Sequence, residues 1–129
     1  MQIEVRYNAT TNEIIGAAID IHRSLGPGLL ESAYLWCLKH DLAARNLRFA
    51  TEVAIPLTYR GKELGHSYRV DLIVENLVVV EVKSVDTVKP VHRAQLLTYL
   101  KLTRCPIGLL INFNEARLIE GVHRLVNPA

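Results

Sequence analysis

The stretch VDLIVENLVVVEVKS, Val70 to Ser84, decides how this chain is read. Two apolar runs flank the dipeptide Glu75-Asn76, so the stretch reads as a hairpin of two strands. Three charges sit inside those runs: Asp71, Glu81 and Lys83. Buried carboxylates and ammoniums are costly unless they pair with each other or hold a metal. Side chains alternate along a strand, so Glu81 and Lys83 share a face while Val80 and Val82 take the other. The turn decides whether Asp71 joins them. A two-residue turn at Glu75-Asn76 pairs Asp71 with Val80, on the wrong face. A three-residue loop, Val74-Glu75-Asn76, pairs it with Val79 and puts it diagonal to Glu81. A bulge does the same.

Working outward, a helix follows a cap at Thr10-Thr11-Asn12 and runs to Leu25, with Ile14, Ile15, Ala18 and Ile19 at helical spacing. Gly26-Pro27-Gly28 breaks it. A second helix runs from Leu29 to about Arg45, and Asn46 is a left-handed stop. Strands are expected over Phe49–Tyr59, Leu64–Val74 and Leu77–Ser84, with a turn at Arg60-Gly61-Lys62. A helix from Pro90 to Arg104 starts on a proline suited to its first turn. Ile107–Asn112 is a short apolar strand, and Arg117–Val126 is a last, more ragged one. The order α-α-β-β-β-α-β-β implies an α/β fold, a mixed central sheet with flanking helices, whose third and fourth strands are joined by a parallel crossover.

The 129 residues fit a single domain, 1–129, large enough to bury a core. Half are hydrophobic and 22% charged, an ordinary globular balance rather than a disordered one. A net charge of +2 argues against coating nucleic acid by bulk electrostatics and leaves room for a local basic patch. Cys37 and Cys105 are isolated thiols without zinc or disulfide spacing. The polar N-terminus and the lack of an apolar run of about 18 residues lead to the expectation of a cytoplasmic chain with no membrane span.

If Asp71 and Glu81 converge with Lys83 beside them, the oxygens suit Mg²⁺ or Mn²⁺, which take one or two protein carboxylates and keep several waters. Such a metal polarises a phosphoryl oxygen and acidifies a water. The ammonium of Lys83 can then orient that water or stabilise growing charge. The plainer reading is a same-face Glu81–Lys83 ion pair. Context favours chemistry: Gln95 and Tyr99 lie four residues apart on one helix face, and Glu31 and Tyr34 stand near the start of the second helix. Taken singly, Glu31 is also explained as compensation of the helix dipole. His22, before the glycine break, is read as structural first and as a site residue second. Arg69 should face away from Asp71 in a salt bridge. Lys89, His92, Arg93, Lys101 and Arg104 put positive charge along the third helix, a stripe able to hold phosphates. Trp36 is read as core or interface.

Gly28, Glu31 and Tyr34 (GxxExxY), then Asp71, Glu81 and Lys83 (D-x9-E-x-K), then Gln95 and Tyr99 (Q-x3-Y), resemble the small bacterial GxxExxY family, grouped within the PD-(D/E)XK nuclease superfamily. Val70 stands where the superfamily pattern has proline. The resemblance implies an αβββαβ, restriction-endonuclease-like core with an extra N-terminal helix. It also implies metal-dependent hydrolysis of phosphodiester bonds in DNA first and RNA second. Asp71, Glu81 and Glu31 would hold Mg²⁺ (or Mn²⁺), with the cation beneath the Glu31 helix, and Lys83 would serve the attacking water. Gln95, Tyr99 and Tyr34 would support the site or touch the nucleic acid. The rival is a nucleic-acid- or partner-binding module that keeps the fold without turnover. A homodimer or protein partner is expected from the small size.

Overall fold

A computed structural model describes residues 2–128, without the side chains of His66 and Ser67. Helix α1 (Ile3–Leu25) buries Ile14, Ala17, Ala18 and Ile21, a stripe at the 3-4-7 spacing that faces a core. The helix begins seven residues ahead of the expected cap. Thr10 and Thr11 lie inside it and turn their hydroxyls back, donating to the carbonyls of Arg6 (3.1 Å) and Asn8 (3.0 Å). A threonine can satisfy its hydroxyl this way within a helix as readily as at a cap.

Gly26 (φ 69°) takes the left-handed side and donates its N–H to His22 O at 2.8 Å, which stops α1. Helix α2 (Glu31–Ala44) buries one row, Tyr34, Leu38 and Leu42, and Asn46 follows at φ 62°.

A five-stranded sheet has the order β1 (Phe49–Tyr59), β2 (Lys62–Val74), β3 (Val78–Lys83), β4 (Ile107–Asn112), β5 (Val122–Val126). Pairs β1–β2, β2–β3 and β4–β5 are antiparallel, and β3–β4 is parallel across helix α3 (Pro90–Thr103). The sheet is the mixed α/β architecture expected. The last strand is shorter than its apolar spacing suggests, because Leu118–Gly121 forms a 3-10 turn that buries Leu118.

Helices α1 and α2 cover one face, packing on Val78, Val80, Val82, Leu109 and Ile111. Helix α3 covers the other, with Leu96, Tyr99 and Leu100 on Val79 and Leu110. Strand β4 is buried at all six residues and β3 at its first five, which is why both read as continuous apolar runs. Gly108 lets α3 come close: a Cβ there would stand 2.9 Å from Leu96 Cδ1. Trp36 lies outside this core, 75% exposed on α2.

Candidate active site

The β2–β3 hairpin carries the centre. Its ladder pairs Val74 with Val78, Ile73 with Val79 and Leu72 with Val80. The loop therefore holds three residues, Glu75-Asn76-Leu77, one place further along than expected. Glu75 (φ 52°) and Asn76 (φ 55°) are both left-handed, and Leu77 N–H donates to Val74 O at 3.0 Å. An odd loop keeps Asp71 on the face of Glu81 and Lys83, as the chemistry requires. Continued by one step, this register sets Asp71 opposite Glu81, not diagonal to it across from Val79.

At that step the backbone ladder gives way to side chains. The Asp71 N–H donates to Glu81 Oε2 (2.8 Å), and the Val82 N–H donates to Asp71 Oδ2 (2.9 Å). Each carboxylate thus caps the opposing strand's backbone and spans the gap between strands. Asp71 Oδ1 and Glu81 Oε1 accept no protein donor among the described residues, yet neither is sealed from solvent. They are two hard oxygens left over from the protein's own bonding.

Electrostatics raises both groups. Burial, then the Asp71 charge, pushes Glu81 up to about 7. Burial also raises Asp71, against the pull of the Val82 N–H and Lys83. Among the described residues neither carboxylate has a cation within ion-pair distance, and the Lys83 ammonium makes no ion pair or hydrogen bond. The plain Glu81–Lys83 ion pair is therefore absent, although the Lys83 charge acts on Glu81. A two-carboxylate donor set short of positive charge fits a divalent cation.

The remaining predicted residues surround this pair unequally. Glu81 and Lys83 share the face of Val79, which belongs to the α3 core, so the pair opens towards α3. Beneath the Glu31 helix is thus the wrong side of the sheet. Glu31 approaches from the end of β3: its Oε2 accepts the Ser84 N–H at 3.3 Å, and its charge reaches Asp71 and Glu81. No group of three His, Cys, Asp or Glu side chains among the described residues is close enough to hold a metal, so Glu31 does not join the other two acids as a ligand cluster.

Tyr99, 3% exposed, lies against Tyr68 (ring centroids 5.8 Å apart). Burial, then Glu81 and Asp71, pushes it up to about 12, so it stays a neutral donor beside the carboxylates. Gln95 is half-buried one turn earlier on the same face, and its side chain forms no hydrogen bond among the described residues. Tyr34 is not at the centre. Its hydroxyl donates to Gly26 O (2.5 Å) and accepts the Leu29 N–H (3.1 Å), while its ring stacks on Phe113 at 4.4 Å. It ties down the Gly26–Leu30 loop that delivers Glu31.

Two residues escaped the sequence reading. Ser84 Oγ donates to Leu29 O at 2.6 Å and couples that loop to β3. Asn112, fully buried at the end of β4, donates to Val85 O (2.9 Å) and accepts the N–H groups of Val85 (3.0 Å) and Asn114 (3.2 Å). Its signal was a lone amide closing an apolar strand opposite Lys83. His22 Nε2 bonds Glu115 O at 2.7 Å, and Arg69 faces Glu52 at 3.9 Å, the structural roles read first for both. The α3 stripe divides: Lys89, His92 and Arg93 sit at the end where β3 and β4 finish, and Lys101 and Arg104 at the other.

No curated protein matches the chain. Among solved structures, the crystal structure of SSO0001 is similar with a TM-score of 0.55 at 25% identity. The match covers 97% of this chain, which spans only 62% of the other. No helix among the described residues is long and apolar enough to cross a membrane. The family model of the PD-(D/E)XK nuclease superfamily matches residues 8–125. Members of that superfamily act on nucleic acid and are generally dependent on a divalent metal. The carboxylate pair at the β2–β3 break and the matched length lead to one conclusion: the chain belongs to the PD-(D/E)XK nuclease superfamily.

Proposed function

We propose that the chain hydrolyses phosphodiester bonds of DNA or RNA at the Asp71–Glu81–Lys83 centre with Mg²⁺ or Mn²⁺, as a member of the GxxExxY group. One observation carries this reading: a buried carboxylate, Glu81, and a half-buried one, Asp71, face each other with free oxygens and, among the described residues, no protein cation within ion-pair distance.

Asp71 Oδ1 and Glu81 Oε1 would hold the cation. When bound, it supplies charge neutralisation at the phosphate and a more acidic water. Lys83 has its ammonium uncommitted on the same strand face, where it can bind a phosphate oxygen and stabilise negative charge as it grows. Tyr99, held protonated, offers an O–H to the carboxylates or to a phosphate. Gln95 offers an amide to the backbone of the nucleic acid. Glu31 acts from outside the pair: it fixes Ser84 and adds the negative potential that favours a cation. Tyr34 and Asn112 position the two loops that meet there.

The test is cleavage of single- and double-stranded DNA and RNA with Mg²⁺ or Mn²⁺, with Asp71→Asn, Glu81→Gln and Lys83→Ala as variants. Loss of one general acid–base or charge-stabilising group typically costs about 10²–10⁴ in rate. Lys83→Ala is expected to lose turnover in that range while keeping metal binding. Metal binding by the wild type without cleavage of any substrate would favour the non-catalytic binding module instead.

A further inference from the structure

We propose that the cavity between the C-terminal turn of α1 and residues 116–119 is a docking subsite for the sugar-phosphate backbone of the nucleic acid engaged at the Asp71–Glu81 centre. The inference rests on the proposed nuclease reading and adds the residues that grip the strand beyond the scissile bond.

The cavity, about 330 Å³, is lined by Arg23 and Arg117 with Ile19, His22, Leu118 and Ile119. No acidic side chain lines it. Neither arginine has a carboxylate within ion-pair distance among the described residues. Among the described residues Arg45, Arg48 and Arg69 are paired with carboxylates, whereas Arg6, Arg60, Arg93, Arg104 and Arg124 are not. Arg23 and Arg117 are set apart by lining one cavity together. On a chain of net charge +2, two guanidiniums left uncompensated in one concavity form a local anion site. An apolar wall beside two planar forks suits a sugar flanked by phosphates, since arginine meets phosphate oxygens two at a time. A larger groove between α1 and α2, lined by Asp20 and Asp41 with Ile21, Leu25 and Trp36, presents no arginine to a phosphate.

The cavity lies at the strand ends where the catalytic pair sits but on the α1 side of the sheet, so a strand held at the α3-facing pair reaches it by crossing the ends of β3 and β4. Lys83 and Asn112 are partners at the ends of β3 and β4, and Phe113 N–H donates to Lys83 O at 2.9 Å. Two residues on, Glu115 O accepts the His22 Nε2 proton at 2.7 Å, which pins the cavity wall to α1. The wall is therefore anchored before any ligand arrives.

The test is binding of fluorescein-labelled single-stranded DNA and RNA oligonucleotides across a salt series, together with steady-state cleavage. The proteins are the wild type, Arg23→Ala/Arg117→Ala, and Arg6→Gln/Arg48→Gln as a control of equal charge change at exposed arginines outside the cavity. Each lost single-strand phosphate contact lowers the log–log salt slope by about 0.7, so the cavity variant should lose about 1.4. It should also bind about tenfold or more weakly and raise KM with kcat unchanged, while the control matches the wild type. An unchanged slope, or an equal loss in the control, overturns the subsite. If the wild type binds oligonucleotide with these differences but cleaves nothing, the subsite stands and the nuclease reading fails. If it cleaves and the cavity variant is indistinguishable from it, the reverse holds.

Discussion

Glu81 shows how one side chain can cost stability and still be kept. Its folded pKa of about 7 lies above the value of 4.5 for the free side chain, so the folded chain binds this proton more tightly than the unfolded one. Stability then falls as pH rises through the window from 4.5 to about 7 and stays reduced above it. The cost at pH 8 is of order 3 kcal/mol at most, since each pH unit of displacement is worth about 1.4 kcal/mol. Glu81→Gln should therefore raise the melting temperature at pH 8 and leave it nearly unchanged at pH 4, although it removes one of the two proposed metal ligands. Thermal melts across pH read this directly, and a less stable variant at pH 8 would mean that Glu81 is already compensated. If the pair holds a cation as proposed, the same sign makes Mn²⁺ more stabilising at pH 8 than at pH 5, because the cation would bind the deprotonated pair and have to displace its proton below pH 7. From residues alone the cost of these charges was visible. Their pairing with backbone N–H groups was not, because it depends on where the β2–β3 ladder stops.

At the scale of elements, apolar patterning located all five strands and three helices, but the ends were less legible. Thr10 and Thr11 resemble a cap until their hydroxyls are seen bonding back within α1. The β2–β3 loop had to be odd-numbered for the chemistry to work, and its exact place was settled by Glu75 and Asn76 both adopting positive φ. The family resemblance implied Glu31 as a ligand, whereas its place in the first turn of its helix read as dipole compensation. The strand alternation of β3, which the sequence does contain, turns the pair towards α3 and leaves Glu31 at the rim. Asn112 is the element-level support that was hardest to see. Asn112→Ala would strip partners from the N–H and C=O of Val85, and a buried group left unpaired costs about 1–3 kcal/mol. We expect a loss of that size in denaturant melts and faster hydrogen exchange at Val85 and Asn114. A variant as stable as the wild type, with unaltered exchange, would show that the 84–86 loop holds itself.

Across the whole molecule, two cores clamp one sheet, and the charged hairpin is set where β3 leaves the interior. The parallel β3–β4 crossover was readable because both strands are apolar throughout and a helix lies between them. The facing of the site was not readable, since it follows from which helix packs on which side. The account as a whole claims that β2 and β3 are completed by a divalent cation. Calorimetric titration of Mn²⁺ at pH 8 into the wild type, Asp71→Asn and Glu81→Gln tests that claim most directly. The account predicts saturable binding to the wild type that either substitution abolishes or weakens at least about tenfold, with Lys83→Ala unaffected. Equal binding by all the proteins, or none by the wild type, would contradict it.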